Sequence, residues 1–159
     1  MGIISERLKE IGIALPSPTR LPDGKLPFPW VHVVGNRALI SGHGPANEEG
    51  LYAGKSGRVG AEISFDEAYE AARLTAYTVL GSLERELGDL DRVAGWVRVF
   101  GMVNCVAGFD RIPQVINGFS DVIIDVYGLE RGRHARSAIG VAELPFGIPV
   151  EVEAEVLLA

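Results

Sequence analysis

Apolar residues recur along this chain with two rhythms, a period of two and a period near 3.6, and the switches between them outline its elements. Ile4, Leu8 and Ile11 fall at helical spacing behind Ser5, which reads as a cap, so residues 4 to 11 predict a short helix standing as an appendage before Pro16-Ser17-Pro18. Trp30 to Val34 and Ala38 to Ser41 are apolar runs on either side of Gly35-Asn36 and predict a hairpin. A loop with six glycines then runs from Gly42 to Gly60, and its last part, Lys55 to Val59, reads as a short strand. Ser64-Phe65-Asp66-Glu67 spells a capping box ahead of a helix over 65 to 87, with Gly88 as its stop. Val93 to Val103, β-branched and aromatic, predicts a strand buried for most of its length, with a bulge at Gly101. Phe109 to Tyr127 returns to the helical period, Pro113 lying in its first turn and Gly128 at its end. His134 to Ala142 and Val150 to Leu158 predict two final strands, giving the order ββ(β)αβαββ.

That order folds most economically as an α+β domain, one β-sheet with two long helices packed on one face. The 159 residues suit one domain, with 1–27 as the helix and Pro-rich lead-in and 28–159 as the body. Several strands carry apolar residues on both faces, for example Trp96, Phe100 and Met102 opposite Val97, Val99 and Val103, so the uncovered sheet face calls for a second copy.

A net charge of −6 repels phosphate backbones and anionic lipid, and the basic residues are scattered, so neither nucleic acid nor a membrane is an expected partner. No apolar run is long enough to cross a bilayer, and the residues after Met1 lack the apolar core of a cleavable signal. The lone Cys105 excludes an internal disulfide and a cysteine zinc cluster, which fits the cytoplasm.

Alternation along the strand from His134 places His134, Arg136, Ala138, Gly140 and Ala142 on one face. A guanidinium beside a row of small residues makes a seat for a carboxylate. The plain alternative is a surface ion pair between Arg136 and Glu151 or Glu153. Glu151, Glu153 and Glu155 share a strand face, where mutual repulsion would raise one pKa towards acid–base work, unless the three form an ordinary solvated face. His32, His43 and His134 show no metal-ligand spacing, so no metal is expected. Ser41-Gly42-His43-Gly44 lacks the order of a nucleophile elbow, and Gly54-Lys55-Ser56-Gly57 is a false phosphate loop because Glu49 stands where glycine is needed. Cys105 has no nearby base and reads as inert.

The run Ala135-Arg136-Ser137-Ala138-Ile139-Gly140-Val141-Ala142-Glu143-Leu144-Pro145, followed by Pro149-Val150-Glu151-Val152-Glu153-Ala154, closely resembles the signature of the Rid family, the imine deaminases also called YjgF or L-PSP proteins. Gly35-Asn36, Ile40-Ser41-Gly42, the capped helix from Ser64, Gly88-Asp89-Leu90 and Val115-Ile116-Asn117 extend the resemblance over about residues 28 to 158. The long N-terminus and the long glycine-rich loop resemble a longer Rid-like subgroup.

The resemblance implies a chorismate-mutase-like fold and a homotrimer with a cleft between each pair of subunits. It implies that Arg136 binds a substrate carboxylate, that Glu151 positions or activates water, and that Ser41, Gly42 and Asn117 lie in or beside the cleft. Trp30 stands where tyrosine is usual, replacing a phenol with a bulkier indole N–H, and Ala138 stands where many members have cysteine while keeping the backbone carbonyl that matters there. The implied activity is cofactor-free hydrolysis of a 2-imino or enamine acid to the 2-keto acid and ammonia. The rival reading is a non-catalytic trimeric binder of small carboxylates, and an endoribonuclease ranks last on charge.

Overall fold

The computed structural model describes residues 2–22 and 24–159. Helix α1 (Ile3–Glu10) leads into an extended segment, then a hairpin of β1 (Val31–Val34) and β2 (Arg37–His43). Helix α2 (Phe65–Leu87), strand β3 (Val93–Asn104), helix α3 (Ile112–Gly132) and strands β4 (Ala135–Val141) and β5 (Val150–Leu158) follow. The sheet order is β1-β2-β5-β3-β4, antiparallel except for β3 and β4, which α3 joins as a parallel pair. The helices pack on each other, α2 over β1, β2 and β5, and α3 over β3 and β4.

The central strand shows why one face is covered. Val150, Val152, Ala154, Val156 and Leu158 are buried beneath the helices, and Glu151, Glu153 and Glu155 emerge on the other side. The capping box forms as the sequence predicts: the Glu67 N–H donates to Ser64 Oγ at 3.2 Å and the Ser64 N–H to Glu67 Oε2 at 2.9 Å. Gly88 closes α2 in the left-handed region at φ +76°. Gly128 is left-handed too, at φ +73°, but the helical path resumes for another turn to Gly132.

Four local expectations are corrected. Ser5 lies inside α1, whose N-cap is Gly2, and the Ile4 N–H donates to Asp91 Oδ1 at 3.3 Å, so a tertiary carboxylate does the capping. Ile4 and Leu8 are buried in the same cluster as both long helices, so α1 is part of the domain core and not an appendage. The register of β3 against β5 slips between Val93 and Gly95 and again between Trp96 and Arg98, and not at Gly101; the second slip turns both Trp96 and Val99 towards the helices and leaves Phe100 and Met102 facing the other way. Gly101 instead lets α3 come close, since a Cβ there would stand 2.6 Å from Ile116 Cγ1. The expected strand at 55–59 is reduced to isolated bridges from Val59 to Ile63 and Cys105.

A buried histidine joins β2 to α2. His43 Nδ1 donates to the Ser41 carbonyl at 2.6 Å, which leaves Nε2 to accept from the Ser82 hydroxyl at 2.9 Å; Ser82 Oγ in turn accepts from Arg85 Nη2 at 3.1 Å. The bond to Ser41 spans the slip in register between Ile40 and His43 and holds that bulge in shape.

Leu8→Ala should cost about 2–5 kcal/mol of stability in urea unfolding, as expected of a core leucine, whereas a free appendage would cost nothing measurable. His43 supplies a pH signature, because burial holds its pKa at about 4 against 6.5. Above pH 6.5 the ring is neutral in both states; as pH falls towards 4 only the unfolded chain takes up the proton, and up to about 3 kcal/mol of stability is lost. The difference between wild type and His43→Gln in urea midpoint should therefore narrow between pH 7 and pH 5.

Candidate functional site

Arg136 sits on β4 level with Val99 of β3, so its side chain turns towards the helix layer and meets α3 at the open edge of the sheet. Pro113, Asn117 and Ser120 lie four and three residues apart on α3 and thus share one helix face. Arg136 Nη1 donates to Asn117 Oδ1 at 2.9 Å and to Ser120 Oγ at 3.0 Å, and Nη2 donates to the Pro113 carbonyl at 3.2 Å. Ser120 is itself held, since its hydroxyl donates to His134 Nε2 at 2.9 Å while His134 Nδ1 donates to the Gly132 carbonyl at 2.7 Å. Among the described residues no carboxylate pairs with Arg136, and Nε–H and a second Nη2–H carry no protein hydrogen bond. Those adjacent donors match the two oxygens of a carboxylate. Burial lowers the pKa of Arg136 and Asp121 opposes it, and the guanidinium stays charged.

Glu151 belongs to a second place. It is level with Met102 and points to the sheet face opposite the helices. There it enters a cavity of about 250 Å³ lined by Gly42 and Gly44 and by Trp30, Tyr52, Phe146 and Ile148. A Cβ on Gly42 would stand 2.0 Å from Glu151 Oε1, so only glycine lets the carboxylate lie against the β2 backbone. Burial, and then Glu153, raise the pKa of Glu151, and burial and then Glu151 raise that of Tyr52.

Two further segments shape this cavity. The lead-in supplies Leu21, Lys25 and Leu26, with Phe28 just after it, and its earlier part is tied to the glycine-rich loop by Ser17 N–H to the Glu48 carbonyl at 2.9 Å and Arg20 N–H to the Gly50 carbonyl at 2.8 Å. The same loop is pinned to the turn before β5 by Gly57 N–H to the Gly147 carbonyl at 2.8 Å, and to the end of β3 by Asn104 Nδ2 to the Gly57 carbonyl at 3.2 Å.

The site residues singled out by sequence thus divide into two groups. Arg136 and Asn117 meet at the β4–α3 edge, with Ala138 two residues along the same strand face; Glu151, Gly42 and Trp30 meet in the cavity on the other side of the sheet. Ser41 lies at the β2 bulge, its hydroxyl given to the Pro29 carbonyl at 2.8 Å. One chain does not bring the two groups together. The anticipated surface pairing of Arg136 with Glu151 or Glu153 does not occur, because β4 and β5 turn these side chains to opposite faces. Sequence reading missed Ser120, Tyr52, Phe146 and the lead-in wall. Only Ser120 carried a signal, its helical spacing from Pro113 and Asn117. Among the described residues no group of three or more His, Cys, Asp or Glu side chains is placed to hold a metal ion, and no helix is long and apolar enough to cross a membrane.

The Glu151 carboxyl, followed by its side-chain carbon resonance, should titrate above the ordinary carboxylate range. Glu153→Gln should lower that midpoint only in part, because burial is the larger cause; a midpoint unmoved from the ordinary range in wild type would contradict the geometry.

The chain matches a family model described as "YjgF/chorismate_mutase-like, putative endoribonuclease" over residues 6–149. Protein TCP17 of Trypanosoma cruzi is 38% identical over 157 residues, covering 99% of this chain and 95% of TCP17. The crystal structure of protein Atu1372 from Agrobacterium tumefaciens superposes with a TM-score of 0.87 at 35% identity, covering 99% of this chain and 93% of that one. Escherichia coli TdcF, solved with bound serine, shares the fold at a TM-score of 0.60 and 17% identity, covering 90% and 94% of the two chains. Spanned by the family model and matched along almost its whole length by a relative, the chain belongs to the YjgF, or Rid, family.

Proposed function

We propose that this protein hydrolyses 2-imino or enamine acids to 2-keto acids and ammonia, in clefts between the subunits of a homotrimer. The observation that carries this reading is Arg136, a cation held by three hydrogen bonds to one face of α3 with Nε–H and one Nη2–H left for a carboxylate. Glu151 supplies the second requirement, a half-buried carboxylate whose raised pKa makes it a usable proton acceptor.

In the reaction, water attacks the carbon of the protonated imine and gives one proton to Glu151, leaving a carbinolamine. Glu151 returns that proton to the nitrogen, and the C–N bond breaks as the hydroxyl oxygen closes to the ketone, releasing ammonia and passing its own proton to solvent. Imines hydrolyse unaided in water, so positioning is sufficient and no covalent intermediate or cofactor is required. Assembly brings an Arg136 edge of one copy against a Glu151 cavity of the next, and also covers the apolar residues left on the open sheet face, among them Leu39, Val97, Ile139 and Leu157. TdcF was solved with bound serine, an amino acid whose carboxylate is of the kind that Arg136 would seat.

A non-catalytic binder of small carboxylates is favoured by the same arginine and differs only in turnover. The endoribonuclease in the family description finds less support in a chain of net charge −6 whose exposed sheet face mixes Arg98 with Glu153 and Glu155.

Keto-acid formation from freshly generated 2-imino acids should exceed the spontaneous rate. Arg136→Ala should lower kcat/KM at least about a hundredfold with assembly intact, and Glu151→Gln should act mainly on kcat, by about 10²–10⁴. Full activity in a correctly assembled Arg136→Ala would remove Arg136 from the mechanism. Carboxylate binding without turnover would leave the binder.

A further inference from the structure

The cavity over Glu151 is larger and more apolar than the smallest imino acids need. Its volume of about 250 Å³ equals roughly eight water molecules at about 30 Å³ each, whereas the side chain of 2-iminopropanoate is one methyl group. Leu26, Phe28, Trp30, Tyr52, Phe146 and Ile148 supply its apolar surface, and Glu151 lines it beside them. We propose that this cavity receives the side chain of the substrate, so that the enzyme acts on 2-imino acids derived from aromatic or large aliphatic amino acids in preference to 2-iminopropanoate. The proposal rests on the deaminase reading above.

Backbone strain points the same way. Among the described residues Phe146 is the non-glycine residue held at positive φ, +58°, between Pro145 and Gly147, a conformation that disfavours a bulky side chain. Glycine would relieve it, yet a phenylalanine stands there, 54% exposed, its ring centroid 5.3 Å from that of Tyr52. The fold thus holds an aromatic ring at the cavity wall where the protein's own packing gains little from it. Trp30 is fixed on another side by its contact with the His43 ring, 4.7 Å between centroids.

The test compares imines made in place by an L-amino-acid oxidase from alanine, leucine and phenylalanine, alongside calorimetric binding of pyruvate and phenylpyruvate. We expect kcat/KM for the leucine and phenylalanine imines to exceed that for 2-iminopropanoate by at least about tenfold, the discrimination a few buried carbons supply. Phe146→Gly, which keeps the turn and should fold at least as well by thermal unfolding, should lower the ratio of phenylalanine-derived to alanine-derived imine activity by about fivefold or more. Turnover with equal or reversed preference would overturn the proposal and leave the deaminase reading standing. No turnover of any imine, with phenylpyruvate bound at least about tenfold tighter than pyruvate and that preference reduced in Phe146→Gly, would overturn the deaminase reading while supporting the cavity's choice of side chain. Absence of both turnover and selective binding would overturn both.

Discussion

The alternation of β5 between apolar and acidic residues is the constraint on which the rest of the structure depends. The strand is central, paired with β2 on one side and β3 on the other, and its inward set seals the helix layer. A slip of one residue against either neighbour would drive Glu151, Glu153 and Glu155 beneath α2, where unpaired carboxylates cost several kcal/mol each. Its register is therefore fixed, and Glu151 lies where it does, beside Gly42 and level with Met102, as a consequence.

The same sheet geometry sends Arg136 the other way. Because β4 runs parallel to β3 and α3 must cross back over the sheet to connect them, α3 lies directly on the edge where Arg136 emerges. The chain then uses one device twice. Arg136 to Ser120 to His134 to the Gly132 carbonyl repeats the order of Arg85 to Ser82 to His43 to the Ser41 carbonyl. In each, a neutral histidine binds the carbonyl two residues before it and accepts from a serine that an arginine also holds. One relay steadies the bulge that carries Gly42, and the other steadies the proposed carboxylate anchor.

The two candidate half-sites differ in origin. The Arg136 edge is built wholly from regular elements, so its three supporting partners are set by helix and strand spacing. The Glu151 cavity is lined from β2 and β5 but also from the lead-in, the glycine-rich loop and the turn at Pro145–Gly147. Chemistry common to a family is suited to the rigid part, and choice of side chain to the part made of loops.

Local rules wrote much of this into the sequence. The Ser64–Glu67 box and Gly88 bound α2, the Val–Glu alternation assigns the faces of β5, and alternation along β4 puts Arg136 and Ala138 on one face; each depends on neighbours a few positions away, so each is legible without a fold. The cap of α1, the bulge in β3 and the closeness of Gly101 to Ile116 depend on residues distant in the chain, and there the plausible local choices, Ser5 and a bulge at Gly101, are displaced. Tyr52 and Phe146 could not be read in advance because neither lies in a periodic element that would assign it a direction. The sequence by itself determined which residues face together along the helices and along β4 and β5, since that follows from backbone geometry, but not across the irregularities of β2 and β3. Only the tertiary structure decided that Arg136 and Glu151 stand on opposite faces of one sheet, because the pairing of β3 with both β4 and β5 fixes their relative sense.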